Sequence, residues 1–186
     1  MKSKNIKMCI LSALFAAFTA ILSQIAFPVP FTAGNIPFSL GLLAVLITSG
    51  VLGGLWGTVS IAVYIALGCI GVPVFANFRA AEALVGATGG YIVGYLFCAI
   101  VVGLIVDRKN GASYVANTAA MIAGTAVCYL FGTLWFSVYA GIPFVAALST
   151  AVVPFVPFDL VKVLLSAYLV KKLRRMSSKY LVRAVI

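Results

Sequence analysis

The chain has 186 residues, 64% hydrophobic and only 9% charged, with a net charge of +10 and a mean hydropathy of +1.20. A soluble domain of this length needs far more charged surface, so the composition excludes a water-soluble enzyme and predicts a polytopic membrane protein. The positive charge does not indicate nucleic acid, because the basic residues gather at the termini and in one short loop, beside apolar runs, as cytoplasmic anchors do.

Apolar runs near residues 8–27, 38–49, 56–70, 87–106, 116–139 and 158–173 approach the ~20 residues needed to cross a bilayer. They predict an all-α membrane protein of six transmembrane helices, with residues 1–186 forming one domain. The first run follows a basic start and imitates a signal peptide, but its length and the spans after it favour a retained helix. Within it, 13-ALFAA-17 stacks Ala13 over Ala17, a smooth stripe that suits either a partner helix or packing inside the protein. Residues 38–70 carry no formal charge and are too long for one crossing, and the glycines of 48-TSGVLGGLWG-57 allow a tight turn between two helices. Six crossings bring both basic termini to one side and assign eleven of the thirteen basic residues to the cytoplasm. Five crossings would split the basic termini across the membrane.

After the third run comes 71-GVPVFANFRAAEALVGATGGYIVGY-95, where Asn77, Arg79 and Glu82 are the polar members and Phe75 and Phe78 flank Asn77. Arg79 and Glu82 could simply pair in solvent. The glycines of 86-GATGGYIVGY-95 open the fourth helix. They either offer free N–H groups to an anion or carbonyl, or permit close helix packing. Tyr91 reads equally as a hydrogen-bonding pocket residue or as a member of the interfacial aromatic belt. All seven prolines (Pro28, Pro30, Pro37, Pro73, Pro143, Pro154 and Pro157) fall on the side opposite the basic loops. Proline resists helix continuation, and irregular backbone at membrane depth is tolerated where it lines a cavity. A lidded pocket opening outward is therefore expected, with ordinary loop prolines as the plainer reading.

The last run contains Asp159 and Lys162, an i,i+3 pair that shares a helix face. Either charge alone near the bilayer centre costs roughly 2.5–3.5 kcal/mol on insertion scales, so a partner, water or polar ligand is required. Of the three acidic residues, Asp159 is read as the one beside a span, which favours a binding role over a structural anchor. The four cysteines are scattered singly and histidine is absent, so no metal cluster, disulfide framework or Ser/His/Asp constellation is indicated. No P-loop motif occurs either, so ATP hydrolysis by a P-loop is not expected of this chain. No enzymatic activity and no cofactor are expected.

The combination of 71-GVPVFANF-78, 86-GATGGYIVGY-95 and 153-VPFVPFDLVK-162, with 13-ALFAA-17 in the first helix, resembles the BioY family across essentially the whole chain. Members of that family are the biotin-specific substrate-binding (S) components of energy-coupling factor transporters. The resemblance implies biotin held near the outer face of a multi-pass protein of the bacterial cell membrane. It also implies association with the transmembrane coupling protein EcfT and two ABC ATPases, and delivery of the vitamin by toppling of the S component. Residue by residue, it casts Asp159 and Lys162 as the anchors of the ureido ring and Asn77 as a ligand-contacting loop position. Tyr91 becomes a pocket residue, Phe75 part of an aromatic wall, and Ala13 and Ala17 the face toward the coupling protein. Tyr91 stands where some members carry arginine, which leaves Arg79 as the candidate partner of the biotin carboxylate. An S component for another vitamin, a self-contained secondary transporter and a structural or assembly membrane protein are the alternatives, and homo-oligomerisation of the isolated chain is left open.

Overall fold

The structure is a computed structural model that describes residues 2–27, 36–109, 111 and 113–181. Its helices are α1 (Lys2–Gln24), α2 (Gly41–Cys69), α3 (Glu82–Val85), α4 (Gly89–Arg108), α5 (Tyr114–Ala140), α6 (Phe144–Ala151) and α7 (Val156–Leu181). Two short strands, β1 (Ala26–Phe27) and β2 (Phe38–Ser39), pair antiparallel and close the base of the connection between α1 and α2. Pro28 and Pro30 lie outside the described residues.

Helix α2 is two limbs in one run. Gly53 has φ +85° and ψ −176°, a conformation open to glycine and strained for any residue with a Cβ. The chain reverses there: a Cβ built on Gly57 would lie 2.7 Å from the Cα of Ser49, where eight residues of straight helix would separate them by about 12 Å. Contacts with α1 show the two directions. The Thr19 and Thr48 hydroxyls meet at 3.2 Å on the first limb. On the second limb Ser60 donates to the Ser12 carbonyl at 2.8 Å, and Tyr64 donates to Ser23 at 3.0 Å. The first limb thus runs against α1 and the second runs alongside it.

Helix α1 buries Ser12, Ala16, Thr19 and Ser23 against α2 and leaves Ile10, Ala13, Leu14, Ala17 and Ile21 exposed. Ala13 and Ala16 therefore belong to different faces. The core lies between α2, α4, α5 and α7, where Leu46, Ile61, Val102, Met121, Val163 and Val170 are buried together. A stripe of exposed apolar side chains, such as Leu130 and Leu165, covers the outside, as a lipid-facing surface requires.

Among the described residues, four helices are long and apolar enough to cross a membrane, and a fifth span results if α6 and α7, bent by 65° at a short break, count together. Helix α6 is absent from the sequence expectation. The expected spans leave residues 140–157 without a helix, yet Pro143 sits at the N-cap of α6 and Pro154 lies in the break, so the prolines bracket a helix. Pro157 follows in the first turn of α7, where a missing N–H costs nothing. Helix α7 also starts before residue 158 and continues past 173. Gly141, with φ +65°, supplies the left-handed cap that ends α5.

Candidate functional site

The bend before α7 places Asp159 in the first turn of that helix, where the positive end of the dipole favours a carboxylate. One turn on, the Lys162 ammonium donates to Asp159 Oδ1 at 2.6 Å and to the Ser39 carbonyl at 2.8 Å. It also sits 3.9 Å from the centre of the Phe38 ring, which adds a cation–π contact. The other carboxylate oxygen, Oδ2, accepts from the Tyr129 hydroxyl of α5 at 2.5 Å. Both charged residues are only 6% exposed. Strand β2, helix α5 and helix α7 thus converge on one ion pair, which stays open only where it lines the cavity described next.

This pair forms one wall of a cavity that is otherwise largely aromatic. Phe75 and Tyr64 pack edge to face at 5.3 Å, and Tyr95 and Phe155 complete the enclosure. Tyr91 enters from α4 and donates its hydroxyl to the Ala151 carbonyl at 3.0 Å, stitching the first turn of α4 to the α6–α7 break. Arg79 lines the same cavity from the loop before α3, donating to the Ala76 carbonyl at 3.2 Å and the Thr88 hydroxyl at 3.3 Å. A ligand here meets a buried ion pair, aromatic faces and one guanidinium. That set suits a compact apolar molecule with a polar head and an anionic group.

Five of the residues singled out in the sequence, Asp159, Lys162, Tyr91, Arg79 and Phe75, line this one cavity. Of the two readings of Tyr91, the pocket position is the observed one. Asn77 is exposed at φ +60° and lies outside the lining, although its neighbour Ala76 contributes to it. Glu82 makes no ion pair with Arg79 among the described residues. Its carboxylate accepts from the Ala80 N–H at 2.7 Å, which holds this exposed acid below the usual carboxylate range. At the start of α4 the packing reading of the glycines prevails. A Cβ on Gly90 would strike Trp135 and lie 2.6 Å from the Phe131 carbonyl oxygen.

Sequence reasoning missed Tyr129, Ser39, Phe38 and Tyr95. Tyr129 is a mid-span tyrosine among apolar neighbours, and only its partner on α7 gives it meaning. A second correction concerns the acids. Asp107 also ends a span, in the last turn of α4, and pairs with Arg174 at 2.6 Å. Its other oxygen accepts from the Gly54 N–H at 2.7 Å, and Arg174 donates to the Gly50 carbonyl at 2.6 Å.

These features define a helical multi-pass membrane protein that encloses a cavity among its helices. The comparisons with known proteins agree with that class. Residues 1–179 match the sequence profile of the BioY family. The biotin transporter BioY of Thermotoga maritima is 35% identical over 89% of this chain and 94% of its own length. The probable biotin transporter BioY of Pyrococcus horikoshii is 33% identical over 94% of this chain and 98% of its own. The crystal structure of the S-component for biotin from an ECF-type ABC transporter superposes with a TM-score of 0.86 and 27% identity, covering 94% of both chains. The chain belongs to the BioY family, and it is a transport protein of the membrane, not an enzyme.

Proposed function

We propose that this chain is a biotin-binding S component that takes up biotin together with an energy-coupling module, EcfT and two ABC ATPases. The observation that carries the reading is the Asp159–Lys162 pair, desolvated and built into the wall of an aromatic cavity. Breaking even is the best such a pair usually manages as a purely structural device, because removing two charges from water offsets most of their attraction. A ligand that completes the pair gives it a purpose. Biotin's ureido ring offers N–H donors to Asp159 and a carbonyl to Lys162, while its bicyclic body lies against Phe75 and Tyr91. Arg79 is the partner for the valerate carboxylate. Asn77, at the rim beside Ala76, contacts the ligand as the loop closes over it.

In this reading the two limbs of α2 cross separately and α6 with α7 make one bent span, for six crossings, and the basic residues near both ends favour termini in the cytoplasm. The exposed alanine stripe of α1, Ala13 and Ala17, is the face toward the coupling protein. A calorimetric titration of the detergent-solubilised chain with biotin, riboflavin and thiamine in parallel tests the reading. Tight binding of biotin alone, without ATP, is expected. Binding of riboflavin or thiamine instead would reassign the substrate, and silence with all three would remove the function.

A further inference from the structure

The Asp159 carboxylate has about four acceptor positions on its two oxygens, and the Lys162 ammonium has three N–H donors. Two of the donors are taken, one by Asp159 Oδ1 and one by the Ser39 carbonyl, and the ammonium rests on the Phe38 ring. One acceptor position on Oδ2 is filled by Tyr129, whose half-buried ring is itself part of the cavity wall. A carboxylate held at both oxygens by donors on two different helices has no freedom to turn. What remains open is acceptor capacity on Asp159 next to donor capacity on Lys162.

We propose that Tyr129 is a positioning residue of this site: its hydroxyl fixes Asp159 as an acceptor aligned beside the Lys162 donor, so that the pair selects the adjoining N–H and C=O of a cyclic urea. The proposal rests on the biotin reading above and adds the residue that sets its selectivity. Asp159 alone could satisfy a polar ring in several orientations. With Tyr129 in place, the carboxylate cannot swing to another group, so a ring lacking an N–H at that edge leaves its open acceptor position unfilled in a site closed to most water.

The test is a set of titrations of the full chain with biotin and with biotin methylated on a ureido nitrogen. Tyr129→Phe keeps the ring and removes the hydroxyl. It is expected to weaken biotin about tenfold to a hundredfold, as loss of a hydrogen bond to a charged group does. It should also narrow the ratio of methylated-biotin to biotin dissociation constants, because a carboxylate free to turn demands less of the ligand. Unchanged biotin affinity overturns the proposal. So does equal weakening of both ligands, since a merely loosened cavity would not alter the ratio. If Tyr129→Phe does not fold, Asp159→Asn with Tyr129 intact must narrow the same ratio, because an amide presents a donor as well as an acceptor. An unchanged ratio in that variant overturns the proposal too. Wild-type protein that ignores biotin altogether would instead sink the reading beneath it, and the inference with it.

Discussion

Asp159–Lys162 and Asp107–Arg174 are both ion pairs closed at 2.6 Å, yet they occupy opposite settings. The first is buried on both sides, each side chain 8% exposed, and faces a cavity. The second leaves Asp107 47% exposed, and its remaining contacts go to the backbone of the α2 turn, the Gly54 N–H and the Gly50 carbonyl. None of the groups in the second pair lines the cavity. The carboxylate of Asp107 replaces a missing continuation of the helix at Gly53, so its work is to hold the reversal of α2 against α4 and α7. The difference teaches that charge at the edge of a membrane protein is explained by what else it touches. The pair whose other contacts all go to the α2 turn belongs to the fold, while the pair that lines the aromatic cavity is the one proposed to meet a ligand.

That comparison can be broken by exchanging the outcomes of parallel substitutions. The largest effect belongs to Asp159→Ala, which leaves the Lys162 ammonium buried without its carboxylate. Breaking a buried pair costs about 3–5 kcal/mol, and biotin affinity by calorimetry should fall at least about a hundredfold. Next comes Gly53→Ala, which forces a side chain into φ +85° with its Cβ 2.6 Å from both Asp107 oxygens. Thermal unfolding should show a loss of about 1–3 kcal/mol while biotin affinity holds.

Asp107→Ala should cost on the order of 1 kcal/mol, because water can take over contacts at a half-exposed acid. A loss of biotin affinity in Asp107→Ala equal to that of Asp159→Ala would erase the distinction between the pairs. Ala17→Trp, on the exposed face of α1, touches neither pair; stability and biotin affinity should stay as they are while co-purification with the coupling protein fails. Loss of ligand binding there would mean the stripe packs inward. The smallest effect is that of Glu82. Its lowered pKa favours the fold above the unfolded value, and that contribution drains away as pH falls through the folded value. Glu82→Gln should remove this faint acid dependence from the melting curve and nothing else.

Much of this was legible in the sequence where a residue contradicts its surroundings. Asp159 and Lys162 stand out because charge is rare in an apolar run, and the Gly53 reversal because 33 charge-free residues exceed one crossing. Helix α6 was hidden, since Pro143 and Pro154 signal loop while the apolar octet between them is helical. Tyr129 and Ser39 were hidden for another reason: their meaning depends on Asp159 and Lys162, which lie 30 and 123 positions further along the chain. The Asp107–Arg174 pair was obscured by its own location, because basic residues at helix ends already have a sufficient explanation in membrane topology. Periodicity reports faces and charge reports conflict, but neither reports which distant helix resolves the conflict.

The most direct measurement is a crystal structure of the chain grown with biotin. The ureido ring should lie within about 3 Å of both Asp159 and Lys162, with Tyr129 still donating to the far oxygen of the carboxylate. A ureido ring found elsewhere in the cavity, with the Asp159–Lys162 pair facing protein alone, would contradict the account.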